Sequence, residues 1–209
     1  MSNNRSFFYQ NGLFYKLGLL ITHKEDFFAR YKYMSNFVRK GDAILEPGCG
    51  PAFFADYLPQ GTHYFGFDKN ESFINYGLKK GLEVWWGNVL DKKNYRFFDV
   101  VVVCDVLHHL KPKDRNLFLR YCFRSAKRTL IICEEGRSGM QTGGFFYPLS
   151  RFWFEYIERD GINTPRLDQV WTAKELRSQM TDGFGVVPKR INRKIEKIGD
   201  ELIVVYHKK

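Results

Sequence analysis

Short apolar runs alternate with segments of helical spacing along the first two thirds of the chain. The runs that predict strands lie at 43–46, 63–67, 83–86, 98–104 and 128–133. Apolar residues at helical spacing predict helices at 26–38, 51–58, 71–80 and 111–126. The run at 98–104, FDVVVVC, is the strongest, because a continuous β-branched stretch is typical of a strand buried on both faces. This alternation predicts an open, mostly parallel, doubly wound α/β sheet.

The last third of the chain breaks this rhythm. Residues 136–171 form a glycine-containing and aromatic insert, which favours a lid or substrate wall or, equally, an oligomer interface. Thr172 and Glu175 have capping-box spacing, so a helix should begin there and reach Met180. Two strands at about 185–191 and 201–207 should then close the sheet as a hairpin. We therefore expect one domain, 1–209, of about seven strands with an antiparallel C-terminal hairpin and a helical N-terminal cap at 1–40.

Composition and charge narrow the function less than the pattern does. The 209 residues carry a formal charge of +10, which suits an anionic partner such as RNA, a membrane surface or a phosphorylated substrate. Lys and Arg are spread along the chain, so nucleic-acid binding is possible but not favoured over a solvated surface. The four cysteines show no CxxC spacing, and the sequence has neither a signal-peptide pattern nor a spanning apolar run. These features favour a reduced, cytoplasmic location.

Polar side chains stand at the ends of four of the predicted strands. They are Glu46, Asp68, Asn88 and Asp105. Ligands of open α/β sheets bind outside the carboxyl ends of the strands, where these residues should meet. Any one of them could instead be a helix N-cap. Glu46 leads directly into Pro47-Gly48-Cys49-Gly50-Pro51, whose glycines permit a tight turn or a close approach to a ligand.

The glycine turn departs from the two common phosphate-binding motifs. A dinucleotide fingerprint would need a third glycine at the position of Phe53, and no GK[ST] follows to make a P-loop. A carboxylate at Glu46 would repel phosphates but would suit a cationic ligand. The turn therefore favours a positively charged cofactor.

With these residues the chain resembles the class I S-adenosylmethionine-dependent methyltransferases, which have a Rossmann-like fold. EPGCGPA at 46–52 is similar to the family's first motif, with Ala52 in place of its last glycine. Asp68 stands where the family has its ribose-binding acid, and Gly87-Asn88-Val89 where it holds the adenine. FDVVVVCDVLHHL at 98–110 looks like the fourth strand and following turn of family members that act on small or lipid-like molecules.

The resemblance implies S-adenosylmethionine as cofactor and S-adenosylhomocysteine as product. Ala52 should be tolerated because it would already be helical, and the Asn88 amide could still serve the adenine. The cofactor-binding residues that it implies are Glu46, Gly48, Cys49, Gly50, Asp68, Lys69, Asn88, Val89, Cys104 and Asp105.

The acceptor side of the site is less specified. His108 is the expected general base, if the acceptor must lose a proton, although packing under the loop is the commoner fate of such a histidine. The expected substrate residues are Tyr15, His109, Tyr147 and Trp153. Asp105 and the histidine pair could ligate a metal, but no further ligands stand at telling spacing, so we expect none.

Methyl transfer to a small, hydrophobic or aromatic metabolite is the function we expect. An RNA or protein methyltransferase is one alternative, favoured by the net charge. A protein that binds the cofactor without turnover is the other. The sequence predicts neither the acceptor atom nor the oligomeric state.

Overall fold

A computed structural model describes residues 26–136 and 171–208. Tyr15, Tyr147, Trp153 and nearly all of the insert lie outside the described residues, as do the first 25 residues of the N-terminal cap. The helices are α1 (Asp26–Ser35), α2 (Glu71–Lys79), α3 (Pro112–Ser125) and α4 (Ala173–Thr181). The strands are β1 (Ala43–Pro47), β2 (His63–Asp68), β3 (Glu83–Trp86), β4 (Phe98–Cys104), β5 (Ala126–Glu135), β6 (Asn192–Ile198) and β7 (Glu201–His207).

The strands form one seven-stranded sheet in the order β3-β2-β1-β4-β5-β7-β6. The first five strands in this order pair in parallel, whereas β7 runs antiparallel to β5, and β6 antiparallel to β7. The expected doubly wound fold with an antiparallel C-terminal hairpin is therefore confirmed. The carboxyl ends of β1, β2, β4 and β5 meet along one edge of this sheet, which we call the carboxyl edge.

Apolar layers cover both faces of the sheet. On one face α1 and α2 pack against alternate residues of the central strands, including Val100 and Val102. On the other face α3 and α4 pack against Val101 and Val103. Strand β4 is thus buried on both sides, as its unbroken apolar run predicts. Among the helices of the described residues, none combines the length and apolar character needed to cross a bilayer.

The strand before the last turn was placed wrongly by the sequence pattern. We expected it at 185–191, but β6 spans Asn192–Ile198. Gly183, Phe184 and Gly185 all have positive φ and form a 3-10 turn there, which an extended strand cannot contain. The capping box at Thr172 and Glu175 is present as expected and begins α4 one residue later.

Candidate functional site

The glycine turn closes over the end of β2. Its Gly48 and Cys49 N–H groups both donate to the Phe67 carbonyl, at 2.7 and 3.1 Å. Gly48 has φ of 70°, and a Cβ atom there would lie 2.8 Å from a methyl group of Val106. The turn thus packs tightly against the loop that follows β4. Glycine at this position is required both by the backbone conformation and by the space.

Asp68, the last residue of β2, holds the turn from the other side. Its Oδ2 accepts a hydrogen bond of 2.9 Å from the Gly50 N–H, and its Oδ1 accepts one of 2.7 Å from the Asn70 N–H. An ionised carboxylate offers about four acceptor positions. The two backbone bonds therefore occupy part of this capacity. Lys69 lies between Asp68 and Asn70 in sequence. Its carbonyl accepts a 3.1 Å hydrogen bond from the Trp86 indole N–H.

The loop after β3 lies beside the same edge. Its Gly87 N–H donates to the Asp68 carbonyl at 3.0 Å. The Asn88 side chain folds back on its own loop, where its Oδ1 accepts from the Leu90 N–H at 3.0 Å. The Val89 carbonyl accepts a 2.7 Å bond from the Tyr95 hydroxyl, so both expected adenine-site residues are held in place.

Ala52 contradicts the expectation that it is already helical. It has φ of 57° and ψ of 45°, the left-handed conformation, and a 3-10 helix (Phe53–Tyr57) begins only after it. This conformation costs an L-residue about 1–2 kcal/mol relative to the right-handed one, and glycine adopts it without that penalty. The methyl group is tolerated here at the expense of backbone strain.

Glu46 is buried rather than open to solvent. The residue is 4% exposed, and its Oε2 accepts a 2.5 Å hydrogen bond from the Tyr64 hydroxyl. Burial raises the pKa of Glu46 to about 8, and the bond from Tyr64 offsets only part of this effect. The carboxyl group is therefore largely protonated at neutral pH, which weakens the electrostatic argument for a cationic ligand made from the sequence.

The two cysteines expected at the cofactor site are buried thiols. Cys49 is 6% exposed, and burial raises its pKa well above the usual value, so its contribution to a ligand would come from the backbone of the turn. Cys104, at the end of β4, is in register with Cys133 of β5. Its thiol is packed in the face covered by α1.

Asp105 is paired with a buried arginine, a contact that the sequence pattern did not indicate. Its Oδ2 lies 2.7 Å from Nη1 of Arg30, a residue of α1 that is only 1% exposed. The same Arg30 nitrogen lies 2.6 Å from Oε1 of Glu201, the first residue of β7. Asp105 also has φ of 56°, which aspartate adopts more readily than most residues. Helix α1 is thereby joined to the carboxyl edge by charge.

The histidine pair follows directly. His108 is 4% exposed, and its Nδ1 lies 2.8 Å from Oε2 of Glu134, near the end of β5. His109 is more exposed, and the two rings are 4.1 Å apart. One ligand atom each from Asp105, His108 and Glu134 lies within 4.8 Å of the others. Glu134 thus adds a third possible ligand atom beside Asp105 and His108, which the sequence spacing did not indicate.

Glu134 could have been found by the rule that found Asp105. Both residues stand at the carboxyl end of a buried parallel strand, and Glu134 directly follows the run that predicts a strand at 128–133. Arg30 and Tyr64 carried no comparable signal. A basic residue in an amphipathic helix and a tyrosine in a strand have many ordinary explanations, and their contacts are long-range.

A family model described as a methyltransferase domain matches residues 45–132. A search among curated proteins finds no match. Similar solved structures include a methyltransferase from Archaeoglobus fulgidus described as SAM-dependent, with a TM-score of 0.66 and 14% identity, over 93% of this chain and 99% of that one. Another is magnesium protoporphyrin IX methyltransferase from Synechocystis PCC 6803 with bound SAH (TM-score 0.60, 14% identity, 90% and 84% coverage).

The CurJ carbon methyltransferase is also similar, with a TM-score of 0.63 and 11% identity over 90% of this chain. This chain spans only 56% of CurJ and 66% of a possible exported protein from Bordetella parapertussis, another similar structure. At such identities the structures share the fold. The family match covers residues 45–132, from β1 into β5, so the resemblance to a methyltransferase domain extends over that part of the chain.

Proposed function

We propose that this protein transfers the methyl group of S-adenosylmethionine to a small, hydrophobic or aromatic metabolite. The observation that carries the proposal is the convergence of the loops after β1, β2, β3 and β4. Gly50 donates to Asp68, Gly87 donates to the backbone of Asp68, and Gly48 packs against Val106. Four consecutive strand ends thus supply one connected surface at the carboxyl edge.

The polar groups on this surface fit the parts of the cofactor. Asp68 holds the turn and, as the acid that ends β2, would accept hydrogen bonds from the ribose hydroxyls. Asn88 and Val89 would border the adenine, and the backbone of the glycine turn would border the amino acid part. S-adenosylmethionine supplies a sulfonium methyl group, an electrophile that requires no further activation. The chain itself must bind and orient the acceptor and exclude water.

His108 is the side chain that we assign to proton removal from the acceptor. It follows β4 directly, as the loop turns from Asp105 along the carboxyl edge. An imidazole titrates near neutral pH, which suits a base that must accept a proton and release it in each turnover. His109, more exposed and adjacent, would border the acceptor, together with Tyr15, Tyr147 and Trp153.

The acceptor class is supported by resemblance rather than by contacts. The turn sequence DVLHHL is similar to that of family members acting on small or lipid-like molecules. By their descriptions, one similar structure acts on magnesium protoporphyrin IX and another is a carbon methyltransferase. An aromatic acceptor would also suit the aromatic content of the chain, 17%.

Ligand-induced stabilisation tests the cofactor assignment. S-adenosylmethionine or S-adenosylhomocysteine at about 100 times Kd should stabilise the folded protein by about 2.7 kcal/mol and raise Tm. Asp68→Ala should remove most of this shift. Asp91→Ala is the matched control, because Asp91 also accepts a backbone N–H bond, from Lys93, but in a different loop. No shift at millimolar ligand would contradict the proposal.

Transfer itself needs a second assay. Incubation with S-adenosylmethionine labelled in its methyl group and a panel of small aromatic and lipid-like acceptors should give labelled product. Binding with no transfer to any acceptor class would favour the non-catalytic alternative.

The charge of +10 is the observation that favours an RNA methyltransferase as the second candidate. An RNA enzyme should bind RNA with an affinity that falls steeply as salt rises, by about 0.7 in log K per log salt for each phosphate contacted on a single strand. We expect only weak RNA binding that disappears at physiological salt. Labelled RNA as product would decide for the alternative.

A further inference from the structure

One buried carboxylate connects the loop after β4 to the end of β5. Glu134 is fully buried. Its Oε1 accepts hydrogen bonds from the N–H groups of Val106 and Leu107, at 2.8 and 2.6 Å. Its Oε2 lies 2.8 Å from Nδ1 of His108. A single side chain therefore fixes both the backbone that carries His108 and the ring itself.

The two carboxyl oxygens of Glu134 have different hydrogen-bond partners. Backbone N–H groups can only donate, so Oε1 is an acceptor whatever the protonation state of the pair. The contact between Oε2 and Nδ1 holds one proton, which lies on either atom. Acceptance of two N–H bonds favours the ionised carboxylate. With the carboxylate ionised, the proton lies on Nδ1.

We propose that Glu134 is a positioning residue for His108, holding the imidazole through an Nδ1–H bond so that Nε2 is the basic nitrogen. This inference rests on the proposed function for the use of that base. The pairing itself is a property of the folded protein and is measurable without cofactor or acceptor. The tautomer of a histidine is set by the hydrogen bond that its other nitrogen makes, and Glu134 makes that bond here.

Other charged groups surround the pair and bear on its protonation. Burial and the charge of Asp105 raise the pKa of Glu134, to about 7, while the two backbone bonds and His109 lower it. From α3, Arg115 donates to the Leu107 carbonyl at 2.9 Å and lies within the field of Glu134. The two backbone bonds therefore oppose the effect of burial on the carboxyl group of Glu134.

The same atoms could be taken for a cation site with Asp105. Three contacts favour the hydrogen-bonded pair of Glu134 and His108 over a metal site. Oε1 of Glu134 already accepts two backbone bonds, and Oδ2 of Asp105 is paired with the guanidinium of Arg30 at 2.7 Å. The positive charge of Arg30 stands where it would oppose a metal ion bound between these groups.

Nitrogen NMR of histidine-labelled protein tests the proposal. Two-bond ¹H–¹⁵N spectra distinguish a protonated ring nitrogen from one with a free lone pair, and the His108→Gln variant assigns the signals. In the wild type, neutral His108 should carry its proton on Nδ1. A proton on Nε2 in the wild type would overturn the proposal without recourse to any variant.

Glu134→Gln gives the sharper test. The amide oxygen would take the place of Oε1 before the two backbone N–H groups, so the NH₂ group would face Nδ1 and donate to it. His108 should therefore switch to the Nε2–H tautomer. Glu135→Gln, at the neighbouring buried glutamate, is the matched control and should leave the tautomer unchanged. An unchanged tautomer in Glu134→Gln would overturn the proposal.

Two further readouts separate the alternatives. Addition of Mg²⁺ or Zn²⁺ at millimolar concentration should leave the His108 signals in place, and a specific shift would mean a metal site instead. Once an acceptor is known, Glu134→Gln should lower kcat on the order of 10²-fold with KM little changed. If no methyl transfer occurs but the tautomer switches as expected, the proposed function fails and the pairing stands.

Discussion

Glu46→Gln should be more stable than the wild-type protein, and the difference in unfolding free energy should grow as pH rises. In the wild type, the carboxyl group is 4% exposed and hydrogen-bonded to the Tyr64 hydroxyl at 2.5 Å. Glutamine keeps an oxygen to accept that bond but cannot ionise. The variant therefore isolates the cost of carrying an ionisable group at this buried position.

The magnitude follows from the pKa of Glu46, which burial raises from 4.5 to about 8. Between these values the folded protein holds a proton that the unfolded chain has released, so stability falls with rising pH by about 1.4 kcal/mol per unit. Below 4.5 the effect is absent, and above about 8 it is constant. The stability difference between Glu46→Gln and wild type should grow by about 3 kcal/mol from about pH 5 to about pH 7.

Urea unfolding across this pH range measures the difference. With an m-value of roughly 2–3 kcal/mol/M, the midpoint of the variant should move by about 1 M relative to wild type. Glu134, whose pKa is also raised, contributes equally to both proteins and cancels in the comparison. Glu83→Gln, at an exposed position of β3, controls for the loss of a carboxylate as such. A difference between Glu46→Gln and wild type that does not change with pH would refute the reasoning.

Two other substitutions test the packing of the carboxyl edge. Gly48→Ala should lower Tm more than Gly81→Ala does. Both glycines have positive φ, but only at Gly48 would a Cβ atom meet Val106, at 2.8 Å. Equal losses of Tm would contradict this close approach. Arg30→Met should cost about 3 kcal/mol in urea unfolding, because it removes the guanidinium partner of the buried Glu201 and of Asp105, whose side chain is 32% exposed. A change below about 1 kcal/mol would contradict that pairing.

The sequence predicted the parts of the fold that depend on local pattern. Strands β3 and β4 were placed at their observed bounds, and their carboxyl ends are marked in the sequence by the Gly87 and Asp105 that follow them. The strand β6 was missed because it is an edge strand with only partial burial and many charged side chains. Its apolar signal is weak, whereas the preceding Val186 and Val187 imitate a strand.

For the candidate site, too, the sequence predicted the positions of residues better than their surroundings. Asp68, Asn88 and Asp105 stand at strand ends, so the topology alone brings them together. The environment of each group could not be predicted from the pattern. Glu46 and Asp68 both lie at or near the end of a strand. Glu46 is buried and hydrogen-bonded to Tyr64, whereas Asp68 accepts a hydrogen bond from the glycine turn. Side-chain burial depends on contacts from elements distant in sequence.

Arg30 of α1 forms ion pairs with two carboxylates at the carboxyl edge. Asp105 and Glu201 approach the carboxyl edge from β4 and β7, and both are paired with this single guanidinium from α1. The buried Glu201 requires such a partner, because an unpaired charge in the interior costs several kcal/mol. Asp105 begins the loop that leads to His108, so displacement of α1 would disturb the residues on which the proposed base depends. Helix α1 is therefore a structural component of the carboxyl edge.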